Sequence, residues 1–166
     1  MIATMDGVLL AELKKLYSAE KQIAEALPRF VEAASTEELR DSLLSHGEES
    51  REHLARLEES FGTLGEDGDG AICVGMQGLL EEGLSALQRY DAGMLRDAAL
   101  IAAALRVEHY ELASYGAAIE LARGLGHDEA LALLEQTWAE EDLAEKKLGQ
   151  IAIQVNAEAY VGRDDV

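Results

Sequence analysis

Proline occurs only at position 28 in this chain of 166 residues, and the apolar residues on either side recur every third or fourth position. Because proline lacks an amide hydrogen and kinks or ends helices, a chain this poor in it is free to form long uninterrupted ones. The frequent Ala, Leu and Glu have high helix propensity, and the spacing is that of a helix face rather than of a half-buried strand. Aromatics at 5% are fewer than a β-sandwich or barrel uses, while hydrophobic residues at 48% suffice for one domain with its own core. The expected fold class is all-α.

The apolar stripes give the order of elements. Leu9, Leu13, Leu16, Ile23 and Leu27 mark a first helix starting near Thr4 or Asp6, and position 20 of the same stripe is Glu20. Pro28 falls late in it, so the helix is expected to kink there and continue to Ala34. Ser35 and Glu38 have capping-box spacing before a second helix, Thr36 to about Phe61, with Leu39, Leu43, His46, Glu49 or Ser50, His53 and Leu57 inward. A glycine-rich acidic loop follows, then a short helix within Ile72 to Arg89 that Gly75, Gly78 and Gly83 weaken. The third long helix, Asp91 to Arg123, carries Ile101, Leu105, Glu108, Leu112, Tyr115, Ile119 and Ala122 on one stripe, and Gly124 and Gly126 stop it. The fourth, Asp128 to Val155, turns Leu131, Leu134, Trp138, Glu141, Glu145, Leu148, Ala152 and Val155 inward. Two helical hairpins joined by a long crossover that contains a short helix, between helices 2 and 3, describe a four-helix bundle. Residues 1–160 are expected to form the single domain and 161–166 a frayed tail.

Charge narrows the partners. With 33 acidic against 14 basic residues the net charge is -19, which opposes approach to a phosphate backbone or an anionic membrane, so neither nucleic acid nor membrane is an expected partner. Cys73 is alone, which leaves no internal disulfide and no multi-cysteine zinc site. The N-terminal residues lack the basic flank and apolar run of a secretory signal, and no apolar stretch is long enough to span a bilayer; the expected location is cytoplasmic. There is no glycine-rich phosphate loop or nucleophile elbow, so phosphoryl and acyl transfer have no support.

The carboxylates on the apolar stripes carry the functional signal. An ionised carboxylate in an apolar core costs several kcal/mol unless a cation pairs with it or a proton neutralises it. Glu20, Glu49, Glu108 and Glu141 each fall midway along the stripe of a different long helix, with few Lys or Arg beside them. His53 lies one turn after Glu49, Glu111 is at i+3 from Glu108, and Glu145 is at i+4 from Glu141, spacings that share a helix face. Carboxylate with a little imidazole suits iron, manganese or magnesium. His46, one turn before Glu49, competes with His53 as nitrogen ligand. His109, about 100° around the helix from Glu108, is expected as a hydrogen-bond partner behind the ligands or a core histidine. Tyr17, Tyr110, Tyr115 and Trp138 are expected first as core packing, and Cys73 as structural or buried.

Three segments resemble one known family: Leu16 to Ile23 (LYSAEKQI), His46 to Ser50 (HGEES) and above all Val107 to Gly116 (VEHYELASYG) look like the ferritin-like stress-protein family typified by YciF and YciE. The resemblance runs from about Ala11 to Leu148 and implies a ferritin-like four-helix bundle, similar to rubrerythrin and bacterioferritin, with a di-iron carboxylate site. It implies Glu20 as the first-helix ligand, Glu49 with His53 on the second, Glu108 and Glu111 on the third, and Glu141 and Glu145 on the fourth. Two positions depart from the family's Glu-x-x-His spacing: Glu52 stands three after Glu49, and Ala144 three after Glu141. The expected cofactor is two iron ions, with manganese possible in their place, and the expected chemistry is peroxide- or dioxygen-linked Fe(II) oxidation in oxidative stress or iron handling. The electron donor would be a separate molecule, since no rubredoxin-type cysteine pairs exist. A homodimer is expected by frequency. The alternative is a stress-associated helical dimerisation or interaction protein whose metal site is structural or vestigial.

Overall fold

The computed structural model describes residues 2–68 and 70–161, and its helices are α1 (Met5–Ala33), α2 (Glu37–Leu64), α3 (Val74–Arg89), α4 (Met94–Leu125) and α5 (Asp128–Val161). No strand occurs among the described residues. The Thr4 hydroxyl accepts the Gly7 amide at 3.1 Å and opens α1 where the sequence places its start. The helix passes Pro28, which is exposed, and ends at Ala33. Left-handed glycines close α2 and α4: Gly65 has φ 68° and Gly126 φ 77°, a conformation that side chains with a Cβ resist. Helix α5 runs beyond the expected Val155 to Val161; the rest of the expected tail, 162–166, lies outside the described residues.

The expected capping box at the start of α2 does not form. Thr36 is the cap residue and no side chain bonds an α2 amide there. Instead the fully buried carboxylate of Asp97, in the first turn of α4, accepts the amides of Ser35 and Thr36 at 2.8 to 3.1 Å. The Ser35 hydroxyl turns away to accept the Gly93 amide at 2.9 Å. Arg96 and Arg40 donate to the carbonyls of Ala33 and Ala34, so the last carbonyls of α1 are also satisfied by side chains. The Asp97 carboxylate thus takes the Ser35 amide that Glu38 would take in a capping box, and the Gly93 amide takes the hydroxyl.

The long helices form a closed ring of neighbours, α1 on α2, α2 on α5, α5 on α4 and α4 on α1, while α3 lies across α4 and α1. Two apolar clusters fill the space between them. One gathers Leu9, Leu13, Leu57, Phe61, Tyr115 and Leu134; the other gathers Ile23, Leu27, Phe30, Leu43, Leu80, Leu100 and Leu148. Trp138, expected inside, is 38% exposed: its indole N–H donates to the Leu112 carbonyl at 3.1 Å, and Thr137 takes the interior position instead. His109 is also outside, with Nδ1 2.7 Å from the Leu105 carbonyl, and is not a core histidine. Among the described residues no helix is long and apolar enough to cross a membrane.

Candidate metal centre

Between the two clusters lies a polar layer to which every long helix contributes. Glu20 on α1, His53 on α2, and Glu111 and Glu141 on α4 and α5 are fully buried, and Glu108 and His46 are 4% and 6% exposed. Their donor atoms fall into two groups, each with all its atoms within 4.8 Å: Glu20, His53 and Glu141, and His46, Glu108, Glu111 and Glu141. Glu141 belongs to both. In the first group His53 Nδ1 lies 3.0 Å from Glu141 Oε1 and 3.2 Å from Glu20 Oε1. In the second, His46 Nδ1 is 3.6 Å from Glu108 Oε1 and its Nε2 3.7 Å from Glu111 Oε2.

The layer is electrostatically costly as a set of protein groups alone. Burial, then the neighbouring Glu141 charge, raises the Glu108 and Glu111 carboxyls well above the usual carboxylate range. Burial opposes a charge on His53, but the Glu141 and Glu20 carboxylates outweigh it and push the imidazole up to about 10. Burial likewise opposes the charge on Glu141, yet His53 and His46 hold its carboxyl below the usual range. Both oxygens of Glu111 and Glu141, both ring nitrogens of His46, His53 Nδ1, Glu20 Oε2 and Glu108 Oε2 are buried without a hydrogen-bond partner. Buried polar atoms are ordinarily paired, so convergent orphans of this kind fit cations at the centre of the layer. Oxygen and imidazole donors gathered in this way could hold a metal ion.

Outside the layer, partners fix the donors. The Tyr115 hydroxyl donates to Glu20 Oε1 at 2.7 Å and is itself fully buried. His53 Nε2 lies 3.1 Å from Glu140 Oε2, and Arg56 grips that carboxylate through two nitrogens at 2.6 and 2.9 Å. A carboxylate held by Arg56 accepts, so His53 Nε2 is the donor to Glu140, while Nδ1 faces Glu20 and Glu141.

The structure thus brings Glu20, His53, Glu108, Glu111 and Glu141 together and adds His46 as a second imidazole rather than a competitor of His53. It leaves two sequence candidates at the margin. The Glu49 side chain is 38% exposed, 4.0 Å from His46 Nδ1 and held by the Ser45 hydroxyl at 3.0 Å; Ser50, the other residue at that turn, is the buried one. Glu145 is 27% exposed and faces His109 at 4.0 Å. Arg56 and Glu140 were not among the candidates. The sequence signal for them is an arginine one turn after His53 on an acidic helix, and a second carboxylate adjoining Glu141.

Comparison with known proteins agrees with this placement of helices. The family described as a domain of unknown function, DUF892, matches residues 4–160. Protein YciF of Escherichia coli is 38% identical over 161 residues, covering 94% of this chain and 95% of that protein. The crystal structure of the stress protein YciF superposes with a TM-score of 0.90 at 37% identity, over 93% of this chain and 98% of that one. YcfI of Rhodopseudomonas palustris gives 0.85 at 40% identity, over 89% and 94%. A protein of Xanthomonas campestris pv. campestris gives 0.78 at 20% identity, over 98% and 100%, and shares the fold. The resemblance drawn from LYSAEKQI, HGEES and VEHYELASYG therefore holds.

Proposed function

The chain belongs to the DUF892 family, and from that premise and the buried layer we propose that it is a ferritin-like four-helix bundle holding two metal ions, most suitably iron, for oxidative-stress or iron-handling chemistry. The single observation that carries this reading is the set of buried carboxylate and imidazole atoms without partners, drawn from every long helix. In it, Glu20 and His53 would hold one ion and His46, Glu108 and Glu111 the other, with Glu141, which belongs to both groups of donors, available to either. Manganese satisfies the same donors. A pair of iron ions supplies electron transfer toward dioxygen or peroxide as Fe(II) is oxidised.

The chain's own residues set the conditions. Tyr115 fixes the orientation of Glu20 by donating to one of its oxygens. Arg56 and Glu140 hold His53 by Nε2 and leave Nδ1 for the interior. The apolar clusters on both sides keep the layer buried, so electrostatic attraction between carboxylate and cation is stronger than at a surface. Residues 1–160 act as one domain in this reading, working in the cytoplasm with a separate reductant.

Metal analysis of protein purified without chelator tests it. Iron or manganese near two per chain is expected, with a ferric absorption change on adding peroxide or oxygen to the Fe(II) form. Glu20→Ala combined with Glu108→Ala should abolish both; unchanged metal content in that variant rejects the assignment. A second reading is an interaction protein, a helical homodimer with a structural metal: Leu143, Ile153 and Tyr160 on α5 are 66%, 64% and 69% exposed. It gives bound metal without any oxygen- or peroxide-dependent change.

A further inference from the structure

The two sides of the acidic layer are filled differently. On one side Leu13, Leu57, Phe61 and Tyr115 pack against one another. On the other is a cavity of about 180 Å³ that reaches His46 and Glu108. Its walls include Leu27, Phe30, Leu80 and Leu100, and small residues, Gly83, Ala103, Ala104 and Ala144, occupy positions where larger side chains would fill it. Exposed Leu143 and Lys147 on α5, with half-buried Ser42 and Ser45 on α2, place its mouth between those helices. Gly83 lets α3 close down as the roof: a Cβ there would lie 3.0 Å from Phe30 Cζ and 3.3 Å from Ala103 Cβ.

Size, lining and charge together define an occupant. An engineered cavity of roughly 150 Å³ lined by Leu, Ile and Phe stays dry and takes up benzene or xenon; this one has comparable volume, with walls of the same kind between a polar inner end and a polar rim. Ser42, Ser45, Glu49, Glu140 and Lys147 stand at its solvent-facing rim, and apolar walls that offer water little to bind lead inward from them to an end where the His46 nitrogens and Glu108 Oε2 have no partner. The carboxylates at that end repel anions. We propose that this chamber binds a small uncharged apolar molecule, the size of a single aromatic ring or a short alkyl chain, in contact with His46 and Glu108. Placing that molecule beside a metal rests on the metal-centre reading above; the chamber itself exists without a metal.

Toluene is the probe, with benzoate as its anionic counterpart, titrated into the full chain in chelated and Co(II)-loaded forms. In the chelated protein, NMR should show saturable binding of toluene and none of benzoate. Ala104→Leu and Ala144→Leu, each narrowing the chamber, should weaken toluene at least tenfold while leaving the helical circular dichroism and the Co(II) stoichiometry of wild type. In the Co(II) form, toluene should shift the visible cobalt bands. Absence of saturable toluene binding, equal binding of benzoate, or full affinity in both variants overturns the chamber. Toluene binding with unmoved cobalt bands overturns its contact with His46 and Glu108. Failure to take up Co(II) at all counts against the metal centre, and the chelated titration then decides the chamber by itself.

Discussion

His53 is the residue on which the layer turns, because its two nitrogens face opposite demands. Nδ1 looks into Glu20 and Glu141, and Nε2 is tied through Glu140 to Arg56, whose side chain is only 13% exposed. Partners behind a metal-binding imidazole fix its tautomer and raise its basicity, and removing them typically costs about 10- to 100-fold in affinity. Arg56→Ala is therefore expected to weaken Co(II) or Fe(II) binding by that order, measured by titration, whereas Arg51→Ala, on an exposed turn of the same helix, should change nothing. Protons compete for the same atoms. Glu108, Glu111 and His53 have folded values raised above the ordinary 4.5 and 6.5, the last to about 10. Their contribution to the stability of metal-free protein is thus complete below those ordinary values and is lost as pH rises through the folded ones. Glu141, held low, has the opposite sign, and its contribution is lost only in acid. Metal binding strengthens as protons leave. Melting temperatures with and without chelator should accordingly diverge from pH 6 to pH 9, the metal-free form falling; a gap that narrows over this range would contradict the assignment of protons in the layer.

At the scale of elements, α1, α2 and α4 meet at a junction held by Asp97. Its buried carboxylate receives the amides of Ser35 and Thr36, and an orphaned buried amide costs about 1 to 3 kcal/mol. Asp97→Ala should lower unfolding free energy by at least that range in urea denaturation, and Ser35→Ala by less, since Ser35 caps nothing on α2 itself. This junction shows what the sequence conveys and what it withholds. The helices follow from periodicity, because burying a stripe is a local property of spacing, and the ends at Thr4 and Gly126 follow from local caps. The carboxylates Glu20, Glu108 and Glu141 stand out for the same reason, since an acid on an apolar stripe is anomalous by itself, and Glu111 follows from its i+3 spacing to Glu108. Asp97 does not, since it sits in the first turn of a helix, where an acidic residue is ordinary, and its partners are 61 and 62 residues away. Trp138 and Glu145 lie on the straight stripe that runs from Leu134 through Glu141 to Leu148; α5 instead buries Thr137 with Glu141 and turns those two toward solvent. Residues whose place depends on which helix arrives opposite are not legible in one segment.

Across the whole molecule, the net charge of -19 and the buried acidic layer act in the same direction, against compactness in the absence of cations. Because Glu20, His46, His53, Glu108, Glu111 and Glu141 come from α1, α2, α4 and α5, ions seated among them would join every long helix at mid-height, and unfolding any one of those helices would release ligands. A ligand that binds only the folded state stabilises it by about 2.7 kcal/mol at a free concentration 100 times its dissociation constant. The wild-type chain should therefore melt at a temperature that climbs with free Fe(II) or Mn(II) under anaerobic conditions, with amide exchange slowing together in α1, α2, α4 and α5. Sodium chloride should also raise the melting temperature of the chelated protein by screening its surface charge, but Glu20→Ala combined with Glu108→Ala separates the two effects: that variant should keep the response to salt and lose the response to metal. If it kept both, the metal would be acting on the acidic exterior rather than within the layer.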